Sequence, residues 1–425
     1  MKINTRIKSF FKVIGPGVVT GAADDDPSGI ATYTQAGAKF GYGLLWMAVF
    51  MLPLMTAVQE ACARIGAVTG KGLAAVAKEN YSKKILYPIV ILVVIANTIN
   101  IGADIGAMAE ALVLLIPIDF TIATLSFTAL ILILEIFLPY RKYSKILKFF
   151  ALSLMAYLIA IFLVDHPWGE VFRATFIPHF EFNFPFFLLI IGVLGTTISP
   201  YMFFWEASQE VEEEKAKHLI KNGHPQISPK FIRNLRLDNM VGMFFSEFTA
   251  WSIILLGATV LHYNGLTSVE TAADAARALE PLVSGFPNSG LIAKGIFAVG
   301  IIGLGLLSVP VLSGSASYAV SETLNWREGL NLKFKRAHGF YGVITIATVI
   351  GLGINFIGID PIKALIFAAI FNGIASIPLL FLIAKMASSR KIMGEYKSGF
   401  LSHFLVWLTF GLVSLAGISV IFLAF

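Results

Sequence analysis

The chain reads GPGVVTGAADDDPSGIATY over residues 15–33, where three aspartates, a proline and several glycines interrupt an apolar run. Pro27 removes a backbone donor and disfavours helical geometry at the preceding residue. Charged groups are costly at membrane depth, and irregular backbone persists there only where protein or a watery cavity satisfies it. The alternative, a surface loop at Asp24–Asp26, would leave the preceding helix too short to span a bilayer. The stretch therefore predicts a membrane helix that is broken at its aspartates.

The composition of the 425-residue chain also indicates a membrane protein. Hydrophobic residues make up 57% of the chain and charged residues only 14%, whereas a soluble domain carries about 25% charged residues. So little charge cannot cover a water-facing surface, which excludes a soluble enzyme, a secreted disulfide scaffold and a disordered regulator. The single cysteine, Cys62, lies in an apolar run and is interpreted as a packing residue.

Apolar runs long enough to cross a bilayer recur along the whole chain. A spanning helix needs about 20 mostly apolar residues, and about eleven segments meet this criterion. They lie near residues 11–39, 43–68, 85–115, 120–139, 146–165, 185–211, 239–263, 290–323, 339–358, 361–386 and 400–424. A transmembrane β-barrel would instead show short alternating segments. The prediction is an all-α polytopic membrane protein with a single transmembrane domain over residues 1–425.

Basic residues predict the orientation of these spans. Lys and Arg concentrate in every second loop, in phase with Lys2 and Arg6 of the N-terminal segment, and are sparse in the others. The net charge of +6 is therefore interpreted as a signal of orientation and not of nucleic-acid binding. We expect a multi-pass protein of the plasma (inner) membrane with a cytoplasmic N-terminus and an extracellular or periplasmic C-terminus. Its expected partners are the lipid bilayer and small ions, with no obligate protein partner.

A second interruption falls in the sixth predicted span, which reads GVLGTTISPYMFFWE over residues 192–206. A lone proline is often only a kink, but Pro200 follows two threonines and a serine in mid-run. The two interruptions lie five spans apart, and because five is odd, two repeats of five helices would be inverted relative to each other. The repeats are expected over about 11–165 and 185–386, with an extra helix at about 400–424. Broken helices at matching positions of inverted repeats indicate the central site of a transporter.

The ligands available at the two breaks are all oxygen atoms. They are the carboxylates of Asp24–Asp26, the hydroxyls of Ser28, Thr196 and Ser199, and backbone carbonyls. Hard divalent cations prefer such ligands, so the expected substrate is a cation and not an organic anion. The spans show no nucleophile with a base and no histidine–metal motif, so we do not expect an enzyme. A channel could share such a pocket, but inverted broken repeats favour alternating access.

At these residues the sequence resembles the NRAMP family of divalent-metal transporters, over most of the chain. The likeness rests on GPG at 15–17, the Asp26-Pro27 break, QEACARIGAVTGKGLA at 59–74, GADIG at 102–106 and the Ser199-Pro200 break. The resemblance implies an APC-superfamily-like fold, with inverted repeats and broken helices 1 and 6. It also implies that the protein moves divalent metal ions and needs no cofactor beyond the transported ion.

Two motifs of this chain depart from the family pattern. The family usually has Asp-Pro-Gly-Asn at the first break, where aspartate and asparagine both bind metal, but here Asp26 is followed by Pro27-Ser28-Gly29. The second break usually reads Met-Pro-His, with a metal-binding methionine, but here it is Ser199-Pro200-Tyr201. A roomier pocket without the thioether favours a partly hydrated magnesium ion. The pattern resembles the NRAMP-related magnesium-transporter branch, which also carries manganese.

Proton coupling is not expected in this chain. Proton-coupled relatives carry an aspartate in the third span and a glutamate three residues later, whereas here Asp104 is followed by Ala107. The histidine that follows the sixth-span proline in those relatives is Tyr201 here. Because a proton relay needs titratable groups within the membrane, we expect passage driven by the membrane potential. The alternative is a proton-coupled manganese and iron importer of the ordinary NRAMP type.

Register with the family assigns roles to individual residues. The expected metal site consists of Asp26, Ala23 through its carbonyl, Thr196 through its backbone or hydroxyl, Ser199 and Gly29. The residues expected along the ion path or around the ligands are Asp24, Asp25, Ser28, Asp104, Tyr201, Glu206 and Asn372. Several alternatives stay open: Asp24 or Asp25 as a cap, Glu206 paired with a cytoplasmic base, and Asp104 as a packing contact.

Overall fold

The computed structural model describes residues 16–138, 151–221 and 224–424, which are mostly helical. A short antiparallel ribbon of β1 (Ile220–Lys221) and β2 (His224–Pro225) interrupts the helices. The α-helices are α1 (Pro16–Asp24), α2 (Pro27–Phe40), α3 (Trp46–Thr69), α4 (Leu73–Asn80), α5 (Lys83–Val113), α6 (Phe120–Phe137), α7 (Met155–Ala160), α8 (Trp168–Phe176), α9 (Phe184–Thr197), α10 (Pro200–Ala216), α11 (Pro229–Leu256), α12 (Ala272–Arg277), α13 (Ser289–Leu324), α14 (His338–Ile354), α15 (Pro361–Ser388), α16 (Arg390–Met393) and α17 (Phe400–Ala424).

Eight helical segments of the described residues are long and apolar enough to cross a membrane, one of which combines α9 and α10. They are Trp46–Thr69, Lys83–Val113, Phe120–Phe137, Phe184–Ala216, Pro229–Asn264, Ser289–Leu324, Pro361–Ser388 and Phe400–Leu423. Helix α14 is apolar but shorter, and α1 and α2 are each too short to span on their own. The basic N-terminal segment and the start of the predicted fifth span, at 146–150, lie outside the described residues. The count of eleven spans therefore stays a prediction.

Most predicted spans coincide with a helix to within a few residues, with two exceptions. In the described part of the fifth span, at 151–165, the only α-helix is Met155–Ala160, and the seventh span begins well before its predicted start. Helix α11 starts at Pro229 instead of near residue 239. Ser228 caps it by accepting a hydrogen bond from the Phe231 N–H at 3.2 Å, and proline is favourable at the first helical position. The extra turns are polar, so hydropathy alone cannot detect them.

Proline marks the start of the second helix at each break. Helix α1 ends at Asp24, and α2 begins at Pro27 with Asp26 as its N-cap. Helix α9 ends at Thr197, and α10 begins at Pro200. In both cases proline occupies the first helical position, where its missing N–H is not needed by the helix.

Glycines allow the broken helices to pack directly on their neighbours. A Cβ atom added at Gly21 of α1 would lie 2.4 Å from the Gly242 carbonyl oxygen of α11. One added at Gly195 of α9 would lie 2.0 Å from the Ala369 carbonyl oxygen of α15. Small residues permit such backbone contacts between membrane helices. Helix α5 packs against α13, α14 and α15. Together with the contacts of α1 and α9, this packing places both breaks inside the protein.

Candidate functional site

The backbone that separates α1 from α2 is enclosed by protein. Asp24, Asp25 and Asp26 are 0%, 1% and 1% exposed, respectively. Thr196 and Ser199 at the other break are equally buried. The alternative of a surface loop at the aspartates is therefore wrong.

The two breaks lie against each other. A Cβ atom added at Gly29 would lie 3.1 Å from Thr196 Oγ1. The Tyr201 hydroxyl of α10 donates a hydrogen bond to the Ala23 carbonyl oxygen of α1 at 3.1 Å. The Tyr33 and Thr197 hydroxyls, on α2 and α9, are hydrogen-bonded at 2.8 Å. The sequence-predicted Asp26, Ala23, Gly29 and Thr196 are therefore brought to one place.

Three neutral donors hold the carboxylate of Asp26. Its Oδ1 accepts hydrogen bonds from the Ser28 hydroxyl at 2.6 Å and from the Gly29 N–H at 2.8 Å. Its Oδ2 accepts one from Asn100 Nδ2 of α5 at 3.0 Å. Asn100 Oδ1 in turn accepts a hydrogen bond from Asn372 Nδ2 of α15, also at 3.0 Å. Because all three donors are neutral, none of them cancels the negative charge of Asp26.

Several oxygen atoms around this carboxylate are buried and have no hydrogen-bond partner among the described residues. They are Thr196 Oγ1, Asp24 Oδ1, Asp25 Oδ1, Asp104 Oδ1 and Asn372 Oδ1. Buried polar atoms are normally paired, and exceptions often mark places where water or an ion binds. Within the described ranges, no three His, Cys, Asp or Glu side chains are arranged to hold a metal ion. A cation bound here would depend on Asp26, on neutral oxygen ligands and on its own water.

Comparison with known proteins identifies the family of this chain. The family model described as "Natural resistance-associated macrophage protein-like" (Nramp) matches residues 17–423. The chain belongs to the Nramp family. It is 24% identical to the divalent metal cation transporter MntH of Caldanaerobacter subterraneus, over 93% of this chain and 89% of that protein. It is also 24% identical to the divalent metal cation transporter MntH 1 of Pseudomonas aeruginosa, over 97% and 91% of the two chains.

Solved structures confirm the predicted fold. A crystal structure of the Eremococcus coleocola manganese transporter, in complex with an aromatic bis-isothiourea substituted compound, matches with a TM-score of 0.74 and 18% identity. It covers 97% of this chain and 87% of that one. MhsT in complex with L-phenylalanine matches with a TM-score of 0.64 and 11% identity, over 96% and 98% of the two chains. This Nramp chain therefore has the all-α polytopic fold with inverted repeats and two broken helices.

Other residues singled out in the sequence have partners away from Asp26. The Ser199 hydroxyl donates to the Gly195 carbonyl and, at 2.9 Å, to the Thr196 carbonyl, so it points back into α9. Asp24 accepts a hydrogen bond from Ser246 of α11. Asp104 accepts one from the Ser308 hydroxyl of α13 at 2.6 Å, which ties α5 to α13.

Glu206 does not pair with a base among the residues that the structure describes. Its carboxylate accepts hydrogen bonds from the Thr20 hydroxyl of α1 and, at 3.1 Å, from Asn239 Nδ2 of α11. The described residues therefore provide no cytoplasmic base for the alternative of an ion pair at Glu206. Glu206 is a buried carboxylate with neutral donors, less than two turns into α10, the helix that begins at the second break, and this position is compatible with the predicted role along the ion path.

Two residues at the centre of this Nramp chain were not predicted. Asn100 is the amide that contacts Asp26, and Glu247 of α11 is a buried carboxylate whose two oxygen atoms have no hydrogen-bond partner among the described residues. Each is a polar residue within an apolar run, VVIANTINIG at 93–102 and MFFSEF at 243–248. That interruption is the signal that could have found them.

Proposed function

We propose that this protein transports divalent metal cations, with magnesium and also manganese as partly hydrated substrates, by alternating access. The observation that supports this most strongly is the burial of Asp26 where the two broken helices meet. Its charge is uncompensated by its hydrogen-bond donors, and the buried atoms around it that have no partner among the described residues are oxygens. Magnesium favours oxygen ligands and retains several waters. The names of the MntH relatives, divalent metal cation transporters, agree with this substrate class.

The proposed ligands follow from the atoms that reach this place. Asp26 supplies the charge, the Ala23 carbonyl and Thr196 supply neutral oxygens, and Gly29 leaves room for ion-bound water. Ser199 reaches the ion by rotating its hydroxyl away from α9, or acts through water. The position before Pro200 carries this hydroxyl and no thioether, which favours hard cations over soft ones.

The proposed driving force is the membrane potential. Each elementary charge gains about 2.3 kcal/mol per 100 mV, and a divalent ion therefore gains about twice as much. We propose passage without proton coupling, since Ala107 and Tyr201 stand at two positions where proton-coupled relatives carry titratable side chains. We also propose a single transmembrane domain in the plasma (inner) membrane, with a cytoplasmic N-terminus and the C-terminus on the opposite side. A proton-coupled manganese importer is the second candidate, because a structural neighbour is a manganese transporter.

Uptake into proteoliposomes tests both candidates. Vesicles containing the purified protein are loaded with a magnesium-sensitive dye or a pH-sensitive dye, and an inside-negative potential is imposed with potassium and valinomycin. We expect saturable uptake of Mg²⁺ and Mn²⁺ that increases with the potential and leaves the internal pH unchanged. Uptake of manganese that excludes magnesium and acidifies the lumen would establish the second candidate instead.

Replacing Ser199 with methionine should shift the ion preference. Ser199→Met places a thioether beside the second break, and sulfur favours softer ions. We expect a higher ratio of Mn²⁺ or Cd²⁺ uptake to Mg²⁺ uptake, measured by competition in the same vesicles. Ser252→Met is the matched control, because Ser252 is also a buried serine whose hydroxyl donates to the carbonyl four residues back, at 2.8 Å. Equal ratios in the two variants would contradict a role for Ser199 in ion selection.

A further inference from the structure

The amide of Asn100 is buried between Asp26 and Asn372. A carboxylate can only accept hydrogen bonds, so Asn100 must present its NH₂ group to Asp26. Its oxygen then faces Asn372, which donates to it at 3.0 Å. The two contacts together fix which way each amide points. The remaining oxygen, Asn372 Oδ1, is buried and has no hydrogen-bond partner in the described part of the chain.

This arrangement suits Asp26 without a cation but opposes a cation on Asp26 Oδ2. The Asn100 NH₂ group carries partial positive charge and lies 3.0 Å from that oxygen. A cation at the same oxygen would face the amide hydrogens, which repel it. The opposite end of the same amide is a carbonyl oxygen, and hard divalent cations accept such oxygens as ligands.

We propose that Asn100 is a ligand of the transported cation and that its amide reverses when the cation binds Asp26. This inference rests on the proposed function. After the reversal, Asn100 Oδ1 faces the cation and its NH₂ group faces Asn372. Asn372 reverses as well, so that its Oδ1 accepts the hydrogen bond from Asn100. Before and after the reversal, one hydrogen bond joins the amides of Asn100 and Asn372. The hydrogen bond from Asn100 to Asp26 is replaced by a contact between Asn100 Oδ1 and the cation.

Isosteric substitutions separate this role from a purely structural one. Asn100→Asp keeps an oxygen ligand but cannot donate to Asp26 when ionised, whereas Asn100→Leu removes both functions. We measure Mg²⁺ and Mn²⁺ affinity of the purified, detergent-solubilised full chain by titration calorimetry. Asn100→Leu should weaken binding about tenfold or more, and Asn100→Asp should bind at least as tightly as the unmodified chain. If Asn100→Leu does not fold, Asn100→Ala replaces it.

Asn97 provides the matched control. It lies one turn earlier on α5, is equally buried and donates to the Leu312 carbonyl oxygen at 2.9 Å. Asn97→Leu should bind both ions as the unmodified chain does. If Asn100→Asp loses affinity as Asn100→Leu does, Asn100 is only a donor to Asp26 and the inference is wrong. An unchanged affinity in folded Asn100→Leu also overturns it.

A parallel Asp26→Asn titration shows which proposal has failed. Suppose that Asp26→Asn loses binding and that Asn100→Asp loses affinity as Asn100→Leu does. The proposed function then stands, and only the ligand role of Asn100 is wrong. If the unmodified chain binds neither ion, or Asp26→Asn binds as well as it does, the proposed metal site itself is wrong.

Discussion

Asp26→Asn reduces uptake of Mg²⁺ and Mn²⁺ to the level of protein-free liposomes, while the protein keeps its fold. Asparagine is about as good an N-cap as aspartate, so the hydrogen bond from the Gly29 N–H to residue 26 persists and α2 still begins at Pro27. The substitution keeps the size of the side chain, removes its negative charge and turns the oxygen that accepts from Asn100 into an NH₂ group. Neutral oxygens alone do not replace the hydration free energy that a divalent cation loses inside a bilayer, because burying an ion without an opposite charge is costly.

Asp360→Asn is a closely matched control for this prediction. Asp360 also precedes a proline at the first helical position, and its Oδ1 accepts a hydrogen bond from the Ile362 N–H at 2.9 Å. It caps α15 and lies away from the two breaks, so Asp360→Asn should transport both ions normally. Uptake is measured with the dye assay, and folding by size-exclusion chromatography and thermal unfolding. Residual uptake by Asp26→Asn near that of the control would show that the charge of Asp26 does not hold the cation.

The broken helices could be predicted because their cause is local. The missing N–H of Pro27 and Pro200 and the charge of Asp24–Asp26 are properties of a few adjacent residues, so they appear directly in the sequence. The predicted interruptions accordingly coincide with the ends of α1 and α9. The apolar lengths of the spans are also a local property. Where a helix continues beyond its apolar part, as at Pro229 of α11, hydropathy misses its true start.

The partners of the buried polar groups could not be predicted in the same way. Asp26 and Asn100 are 74 residues apart, and Asn100 and Asn372 are 272 apart. Helix periodicity says which face of α5 carries Asn100, but the packing of α5 against α2 and α15 decides what that face meets. Glu206 illustrates the same limit, since its hydrogen-bond donors lie on α1 and α11. The residues next to Glu206 in the sequence do not indicate which donors it contacts.

The direction of a short side chain is equally hidden from the sequence. Ser199 stands beside the second break, as predicted, yet its hydroxyl donates to carbonyl groups of α9. Serine and threonine in helices often form such local hydrogen bonds, which compete with any distant partner. Thr196 shows the opposite outcome, because its Oγ1 has no partner among the described residues and lies next to Gly29.

Gly21→Ala should destabilise the protein, although alanine is the better helix former. The added Cβ would lie 2.4 Å from the Gly242 carbonyl oxygen and 2.5 Å from its carbonyl carbon, which belong to the backbone of α11 and cannot rotate away. Helices α1 and α11 must therefore separate, which moves the first break relative to Asp24's partner Ser246. Overpacking of this kind costs about 1–3 kcal/mol. We expect a lower unfolding temperature and reduced ion uptake.

Gly342→Ala isolates this contact from the change in helix propensity. Gly342 lies in α14, and a Cβ added there meets no heavy atom within 4 Å. The same substitution should be neutral or stabilising at this position, since alanine is favoured over glycine in a helix by about 1 kcal/mol. Thermal unfolding of both variants in the same detergent makes the comparison. Equal unfolding temperatures for Gly21→Ala and Gly342→Ala would contradict this prediction. The added methyl group would then fit without separating α1 and α11, and their close backbone contact would not hold the first break in place.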